Sequence, residues 1–255
     1  MQGKLFLCEK HDQAKALAAV LGITKPNNGF YECGAHKVTW CVGHILKLAE
    51  PHEYGDEFKR FNNINVLPIL PQRYKHTVAI DKKTKKPIQQ FFVIKKLLGE
   101  AKHVVIATDP DREGELIGWE LLDYCGYKGQ IERLWATALD KKTLTAALQD
   151  IKPGSHTKNL YLAGTARACS DWLVGMNGTR IFTVIHGHLF EPSKNSEGKP
   201  NSRLISIGRV QCPTLAMIVK RDLSIKNFKK KTFYKLAAQF AHLNGLIPAQ
   251  LIMPP

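Results

Sequence analysis

Four acidic side chains fall within seven residues in Asp109-Pro-Asp-Arg-Glu-Gly-Glu115, and a fifth, Glu9, stands beside Lys10 near the start of the chain. Carboxylates gathered this closely repel one another, and a bound cation or a retained proton relieves the repulsion. Both outcomes are chemically useful. Magnesium takes oxygen ligands, keeps several waters and is commonly held by one or two carboxylates together with substrate phosphates. Asp109 and Asp111 suit that part. They lie two apart, so an extended backbone sets them on one face, and Pro110 biases Asp109 toward that geometry. Glu9 suits general acid or base work, and Lys10 suits opposing a phosphate. The competing reading of a D-x-D pair after a strand is a helix N-cap, because acids there accept backbone N–H groups and favour the helix dipole. The density of acids tilts the balance toward a site.

Such a site needs strands that deliver Glu9 and Asp109 to a common edge. Each follows an apolar run of strand length, Lys4-Leu-Phe-Leu-Cys8 and His103-Val-Val-Ile-Ala-Thr108, and parallel α/β sheets collect reactive groups outside the carboxyl ends of their strands. Helical segments alternate with these runs. Residues 12–21 are rich in Ala and Leu and stop at Gly22; Pro87 opens a second helix with Ile88, Phe91, Phe92 and residues 94–98 on its apolar face. A third carries Ile117, Leu121 and Tyr124, and Asp140 caps a fourth that runs through Leu148. Residues 30–33, 37–42 and 131–136 are further expected strands, and the lysines at 82, 83, 85 and 86 read as a solvated turn. After Pro153-Gly154 the texture turns helical. Residues 160–176 are dense in Ala, Gly, Ser and Cys, which suits close helix packing; 191–202 read as an exposed loop, 213–225 as a helix and 233–240 as a strand. The expected architecture is α/β: a mostly parallel sheet flanked by helices over residues 1–152, then a mainly helical region over 153–255.

Composition narrows the partner. With 44% apolar and 23% charged side chains in 255 residues, the chain is a folded protein rather than a disordered one. Lys and Arg number 37 against 22 Asp and Glu, a net charge of +15 that favours a polyanion. Nucleic acid leads and an acidic membrane surface is second. The apolar runs are only a few residues, far below the roughly 20 that cross a bilayer, and the stretch at 5–8 is too short for a secretory signal core. Six cysteines, at 8, 33, 41, 125, 169 and 212, form no C-x-x-C pair and point to a reducing, cytoplasmic compartment. Cys33-Gly-Ala-His36 and Cys41-Val-Gly-His44 repeat a C-x2-H spacing that zinc can use. A strand at 38–42, carrying these residues to alternate faces, is the better account.

Leu7-Cys8-Glu9-Lys10 with Ala107-Thr108-Asp109-Pro-Asp111-Arg-Glu113-Gly-Glu115 resembles the Toprim domain of type IA DNA topoisomerases. Tyr31-Glu-Cys-Gly, Val38-Thr-Trp-Cys-Val-Gly-His44, Asp171-Trp-Leu-Val-Gly-Met-Asn177 and Ser206-Ile-Gly-Arg-Val-Gln-Cys-Pro-Thr214 resemble the topoisomerase III branch in particular. The likeness runs from the first strand to about Phe240. It implies a Toprim domain over 1–152 and the beginning of the strand-gate region over 153–255. It also implies a Mg2+ site drawn from Glu9, Asp109, Asp111 and Glu113, with Glu9 acting in acid-base chemistry at the scissile phosphate and Lys10 contacting that phosphate. Arg112, Arg209 and Gln211 are implied DNA contacts, Arg209 having a plainer reading as a surface charge at a helix start. The implied activity is ATP-independent, magnesium-dependent cleavage, passage and religation of single-stranded DNA, with a helicase as a candidate partner and no membrane. Gly178, where a bulkier apolar residue is more usual, and Cys212, where Thr or Ser is common, are small departures.

The larger departure concerns the nucleophile. Family members attack DNA with a tyrosine in a Y-x-R-[TS]-D-like setting, and none of Tyr31, Tyr54, Tyr74, Tyr124, Tyr127, Tyr161 or Tyr234 has those neighbours. The chain is therefore expected to stop before that tyrosine and to be inactive in strand cleavage by itself; residues 246–255 lose the family's texture. Two other readings stay open. One is a non-catalytic DNA-binding remnant; the other is a Toprim nuclease or primase-like enzyme using the same acids without a tyrosine.

Overall fold

All four residues of the first strand, β1 (Leu5–Cys8), are buried, and they alternate between two cores: Leu5 and Leu7 join one apolar cluster, Phe6 and Cys8 the other. A strand covered on both faces reads as an unbroken apolar run even though its side chains alternate. The computed structural model describes residues 3–81, 83–190 and 204–252, and the chain divides into two compact units, Met1–Arg209 and Val210–Pro255.

In the first unit β1 is followed by α1 (His11–Leu21), β2 (Lys25–Asn27), β3 (Phe30–Cys33), β4 (His36–Trp40), β5 (Leu46–Leu48), β6 (His76–Val78), α2 (Gln89–Glu100) and β7 (His103–Ala107). Then come α3 (Arg112–Tyr124), β8 (Gln130–Arg133), α4 (Lys141–Gln149), β9 (Lys152–Pro153) and α5 (Lys158–His186). Seven strands form one sheet in the order β2-β3-β4-β1-β7-β8-β9, whose central members β4, β1, β7 and β8 are parallel while the edges pair antiparallel. β5 and β6 make a separate antiparallel pair. The chain leaves β1 for β4 on one side and reaches β7 on the other, so the order switches at β1. In such sheets that is where a crevice opens beyond the carboxyl ends of the strands. The mostly parallel, helix-flanked sheet expected from the sequence is the one observed.

The two clusters are the two faces of the sheet. Ala14, Leu17 and Ala18 of α1 and Leu144 of α4 cover Phe6, Cys8, Val105 and Ala107; Phe91, Ile94, Leu97 and Leu98 of α2 with Ile117 and Leu121 of α3 cover Leu5, Leu7, Val104 and Ile106. Cys33 and Cys41 belong to opposite clusters, so the C-x2-H repeat gathers no zinc site, and burial pushes the Cys8 and Cys41 thiols well above the usual range. Cys8, Cys33, Cys41, Cys125 and Cys169 are free thiols.

α5 lies close on α3: a side chain at Gly164 would come within 3.1 Å of the Arg112 carbonyl oxygen. Later turns of α5 hold the long connection between β5 and β6. Trp172 Nε1 donates to the Ala49 carbonyl (2.9 Å), and Asn177 both accepts from the Ile69 N–H (2.6 Å) and donates to the Ile69 carbonyl (3.1 Å). An Asn177→Leu chain, which leaves both backbone groups of Ile69 without their partner, is expected to lose about 1–3 kcal/mol of stability in urea unfolding.

Some boundaries differ from expectation. Sheet pairing of β8 ends at Arg133 rather than at 136, because the Arg133 side chain turns under the end of β7. The helix expected over 160–176 extends to 29 residues, its later turns held by the 204–207 segment through Ile205 N–H to Thr183 Oγ1 (2.9 Å) and Ile207 N–H to Thr179 Oγ1 (3.0 Å). Lys82 and the loop at 191–202 lie outside the described residues.

The second unit contains α6 (Gln211–Lys226), β10 (Ala237–His242) and β11 (Gly245–Gln250), the two strands forming an antiparallel hairpin. β10 starts four residues after the expected strand. β11 goes beyond the expectation, and Asn244-Gly245 between two strand-like runs is the signal that marks it. No helix among the described residues is long and apolar enough to cross a membrane.

Candidate active site

Because β1 and β7 are hydrogen-bonded neighbours in parallel, with Cys8 opposite Ala107, the residues that follow them emerge side by side. Glu9 comes directly after β1, and Asp109 follows β7 by one residue. Glu9 is buried and Asp109 half-buried, with Lys10 reaching between them: its Nζ lies 2.9 Å from Glu9 Oε1 and 3.3 Å from Asp109 Oδ2. Those two carboxylates, Glu9 first, raise the Lys10 pKa and keep its ammonium charged. The Asp109 N–H also points at Glu9 Oε2, at 3.4 Å. The acids expected to meet do so, with a cation already between them.

Gln13, on the first turns of α1, ties the two strand ends together. Its Oε1 accepts from the Glu9 N–H (2.8 Å) and its Nε2 donates to Asp109 Oδ1 (3.2 Å). Sequence reasoning missed it, since nothing local distinguishes a helical glutamine that reaches across 96 residues.

The remaining acids of the motif part company. Asp111 is the N-cap of α3, its Oδ1 accepting from the Gly114 N–H at 2.8 Å, so the capping reading describes this carboxylate oxygen. Glu113 is exposed and meets His44, Nε2 to Oε1 2.5 Å. His44 is the second residue missed as part of this site. Glu115 turns away altogether. It is fully buried, paired with Arg133 and accepting from Trp119 Nε1 (3.1 Å) and Thr157 Oγ1 (2.9 Å), so it adds nothing to the charge of the pocket. Arg133 in turn donates to the carbonyls of Thr108 (2.8 Å) and Asp109 (2.7 Å), fixing the segment from which Asp109 projects. Burial lowers the Arg133 pKa and the Glu115 carboxylate opposes that shift.

Of the implied DNA contacts, Arg112 is exposed at the first position of α3. Arg209 is exposed two residues before α6 and pairs with Asp171 of α5, Nε to Oδ1 2.8 Å, an ion pair at the surface. Gln211 opens α6 in the second unit.

Among the described residues no three His, Cys, Asp or Glu side chains gather in a metal-holding arrangement. The donor chemistry nevertheless fits magnesium. Asp109, half-buried, and Asp111, exposed, are hard oxygen donors, the Asp109 carboxylate is held among the described residues by the long contacts from Lys10 and Gln13, and magnesium needs one or two protein carboxylates rather than a full cage.

The Toprim domain model matches residues 4–139 and the DNA topoisomerase model residues 155–249. DNA topoisomerase 3 of Bacillus cereus is 36% identical over 241 residues, 94% of this chain, and that of Bacillus licheniformis 38% over 240 residues, 93% of this chain. The chain spans about 30% of the length of these relatives. The full-length topoisomerase I structure from Thermotoga maritima aligns over 91% of this chain and 32% of its own, with a TM-score of 0.56 at 20% identity, a likeness of fold. With its Toprim match covering more than half its length and a topoisomerase match following directly, the chain belongs to the type IA DNA topoisomerase family.

Proposed function

We propose that the chain forms the phosphate-facing, magnesium-holding part of a topoisomerase III-like enzyme that cleaves, passes and religates single-stranded DNA without ATP. The observation that carries this reading is the meeting of Glu9 and Asp109 across adjacent strand ends with the Lys10 ammonium between them. Lys10, with 62% of its side chain exposed, can exchange its two carboxylate partners for a DNA phosphate, a lysine ammonium being charged at neutral pH in either place. Glu9, buried beside it, is placed to exchange a proton with an oxygen of that phosphate. Asp109 and Asp111, with Glu113 next in line and Glu9 behind, would hold Mg2+, which when bound stabilises charge on the phosphoryl oxygens. Arg112, Arg209 and Gln211 would serve as DNA contacts, and the net charge of +15 supplies the attraction that draws a polyanion to an acidic pocket. We place the boundary between the Toprim domain (1–152) and the strand-gate region (153–255) in the gap between the two family matches. A cytoplasmic location fits the free thiols of Cys8, Cys33, Cys41, Cys125 and Cys169, and a helicase is the partner class that would supply single strands.

The test is binding of a labelled single-stranded oligonucleotide with and without magnesium. Magnesium is expected to tighten binding by about fivefold or more, and Asp109→Asn with Asp111→Asn to remove that increment while salt-sensitive binding survives. Binding indifferent to magnesium in both proteins would reduce the chain to a basic DNA-binding surface. Magnesium-dependent nicking abolished by Glu9→Ala would make it a nuclease instead. After denaturation no protein-linked DNA is expected, since none of the chain's seven tyrosines stands in the Y-x-R-[TS]-D-like setting of the family's nucleophile. An adduct mapped to one of the chain's tyrosines would overturn that expectation.

A further inference from the structure

Three rings stand at the same carboxyl edge of the sheet, across β1 from Asp109. His11, the residue after Lys10 and the first of α1, packs edge-on against Trp40 with ring centroids 4.6 Å apart, and its Nε2 lies 2.8 Å from the Tyr31 hydroxyl. Tyr31 and Trp40 are themselves 5.4 Å apart. The placement follows from register. Trp40 ends β4 opposite Cys8, and Tyr31 pairs with Val38, two residues before Trp40 and so on the same face. The rings are not simply core: the His11 side chain is 52% exposed, and Tyr31 and Trp40 are only half-buried. The acid chemistry uses none of them.

We propose that His11, Tyr31 and Trp40 form a stacking platform for a nucleobase of the single strand whose phosphate meets Lys10. The inference rests on the DNA-binding reading above and extends it to a base contact. A phosphate at Lys10 leaves its nucleotide's base beside this cluster of aromatic rings, next to a charged group that has already brought the strand in. Stacking on aromatic faces is the sequence-tolerant way to hold an unpaired base, because every base has a π-face and an exposed single strand offers it. The aromatic surface lies one residue from the cationic one, which is the pairing of basic groove and ring that single-strand binding requires.

The test compares two oligonucleotides of equal length, one with bases and one wholly abasic, over a salt series. His11→Ala, at an exposed position, and the less disruptive Trp40→Phe bracket the effect, with His11→Ala/Trp40→Leu as the stronger variant if its far-UV spectrum matches wild type. His11→Ala/Trp40→Leu is expected to weaken binding of the base-bearing strand about tenfold or more, Trp40→Phe to leave it near wild type, and His11→Ala alone to fall between. None should change the slope of log affinity against log salt or the affinity for the abasic strand. Lys10→Ala should instead lower the slope by about 1. Wild-type affinity of His11→Ala for the base-bearing strand, or an equal loss on the abasic strand, overturns the platform while leaving DNA binding intact. A wild-type chain that binds neither strand overturns the DNA-binding reading along with it.

Discussion

Glu115→Ala is expected to cost about 3–5 kcal/mol of folding stability, read as a large fall in the urea midpoint. The reason is what the substitution leaves behind. Arg133 is fully buried, and among the described residues Glu115 is the carboxylate in ion-pair contact with it, Asp111 and Asp109 acting on it from farther away. Its other hydrogen bonds go to the carbonyls of Ile106 (3.2 Å), Thr108 (2.8 Å), Leu134 (2.7 Å) and Asp109 (2.7 Å), which are dipoles and cannot neutralise a guanidinium. Removing one partner of a buried pair strands the other charge, and that penalty exceeds what the pair itself contributes. Trp119 and Thr157 lose an acceptor at the same time. Glu113→Ala, two residues earlier in the same motif, removes an exposed carboxylate paired with His44 and should change stability by less than about 1 kcal/mol. Equal losses for the two variants would show that Glu115 is not the buried counter-ion.

That contrast marks how far the sequence could be read. An acid after an unbroken apolar run identifies the mouth of a doubly covered strand, so Glu9 and Asp109 were legible as partners before any pairing was known. The acids beyond Asp109 were legible as types but not as directions. α3 begins at Arg112, and two residues along a helix turn about 200°, which sends Glu113 to solvent and Glu115 to the interior. Every residue from Gly114 to Leu122 is buried because α5 covers the side of α3 that the sheet does not; a helix covered all round has no polar face to announce its orientation, and its acids need partners supplied from afar. Glu120 finds His76, at 3.2 Å. Gln13 and His44 escaped notice for the same reason. Their value lies in contacts 96 and 69 residues away, which no local pattern encodes. The Asp-Trp-Leu-Val-Gly-Met-Asn motif was legible as a family mark, but its physical content, Trp172 and Asn177 pinning a long connection, came only with the fold.

Gly114→Ala should separate the shape of the pocket from its chemistry, since it removes no charged or hydrogen-bonding group. A Cβ there would collide with the Asp109 carbonyl and come within 2.9 Å of the Asp109 amide nitrogen, both backbone atoms that no rotamer change can clear. The loop cannot simply yield, because the same carbonyl accepts from Arg133 and from the Asp111 N–H (2.9 Å), while Gly114 itself donates to Asp111 and accepts from Thr108 Oγ1 (2.7 Å). Alanine is the better helix former by about 1 kcal/mol, yet overpacking of this kind costs about 1–3 kcal/mol and occasionally more. The expected result is a folded but destabilised chain whose Asp109 is displaced, with the magnesium increment in single-stranded DNA binding lost. Gly99→Ala is the matched control. It lies in α2 with nothing within 4 Å of the added carbon, so the identical substitution should stabilise by roughly 0.5–1 kcal/mol and leave the magnesium response unchanged. If Gly114→Ala retained the full magnesium response, Asp109 could not be a ligand whose position the α3 turn controls, because the one atom added is aimed at the segment that carries it.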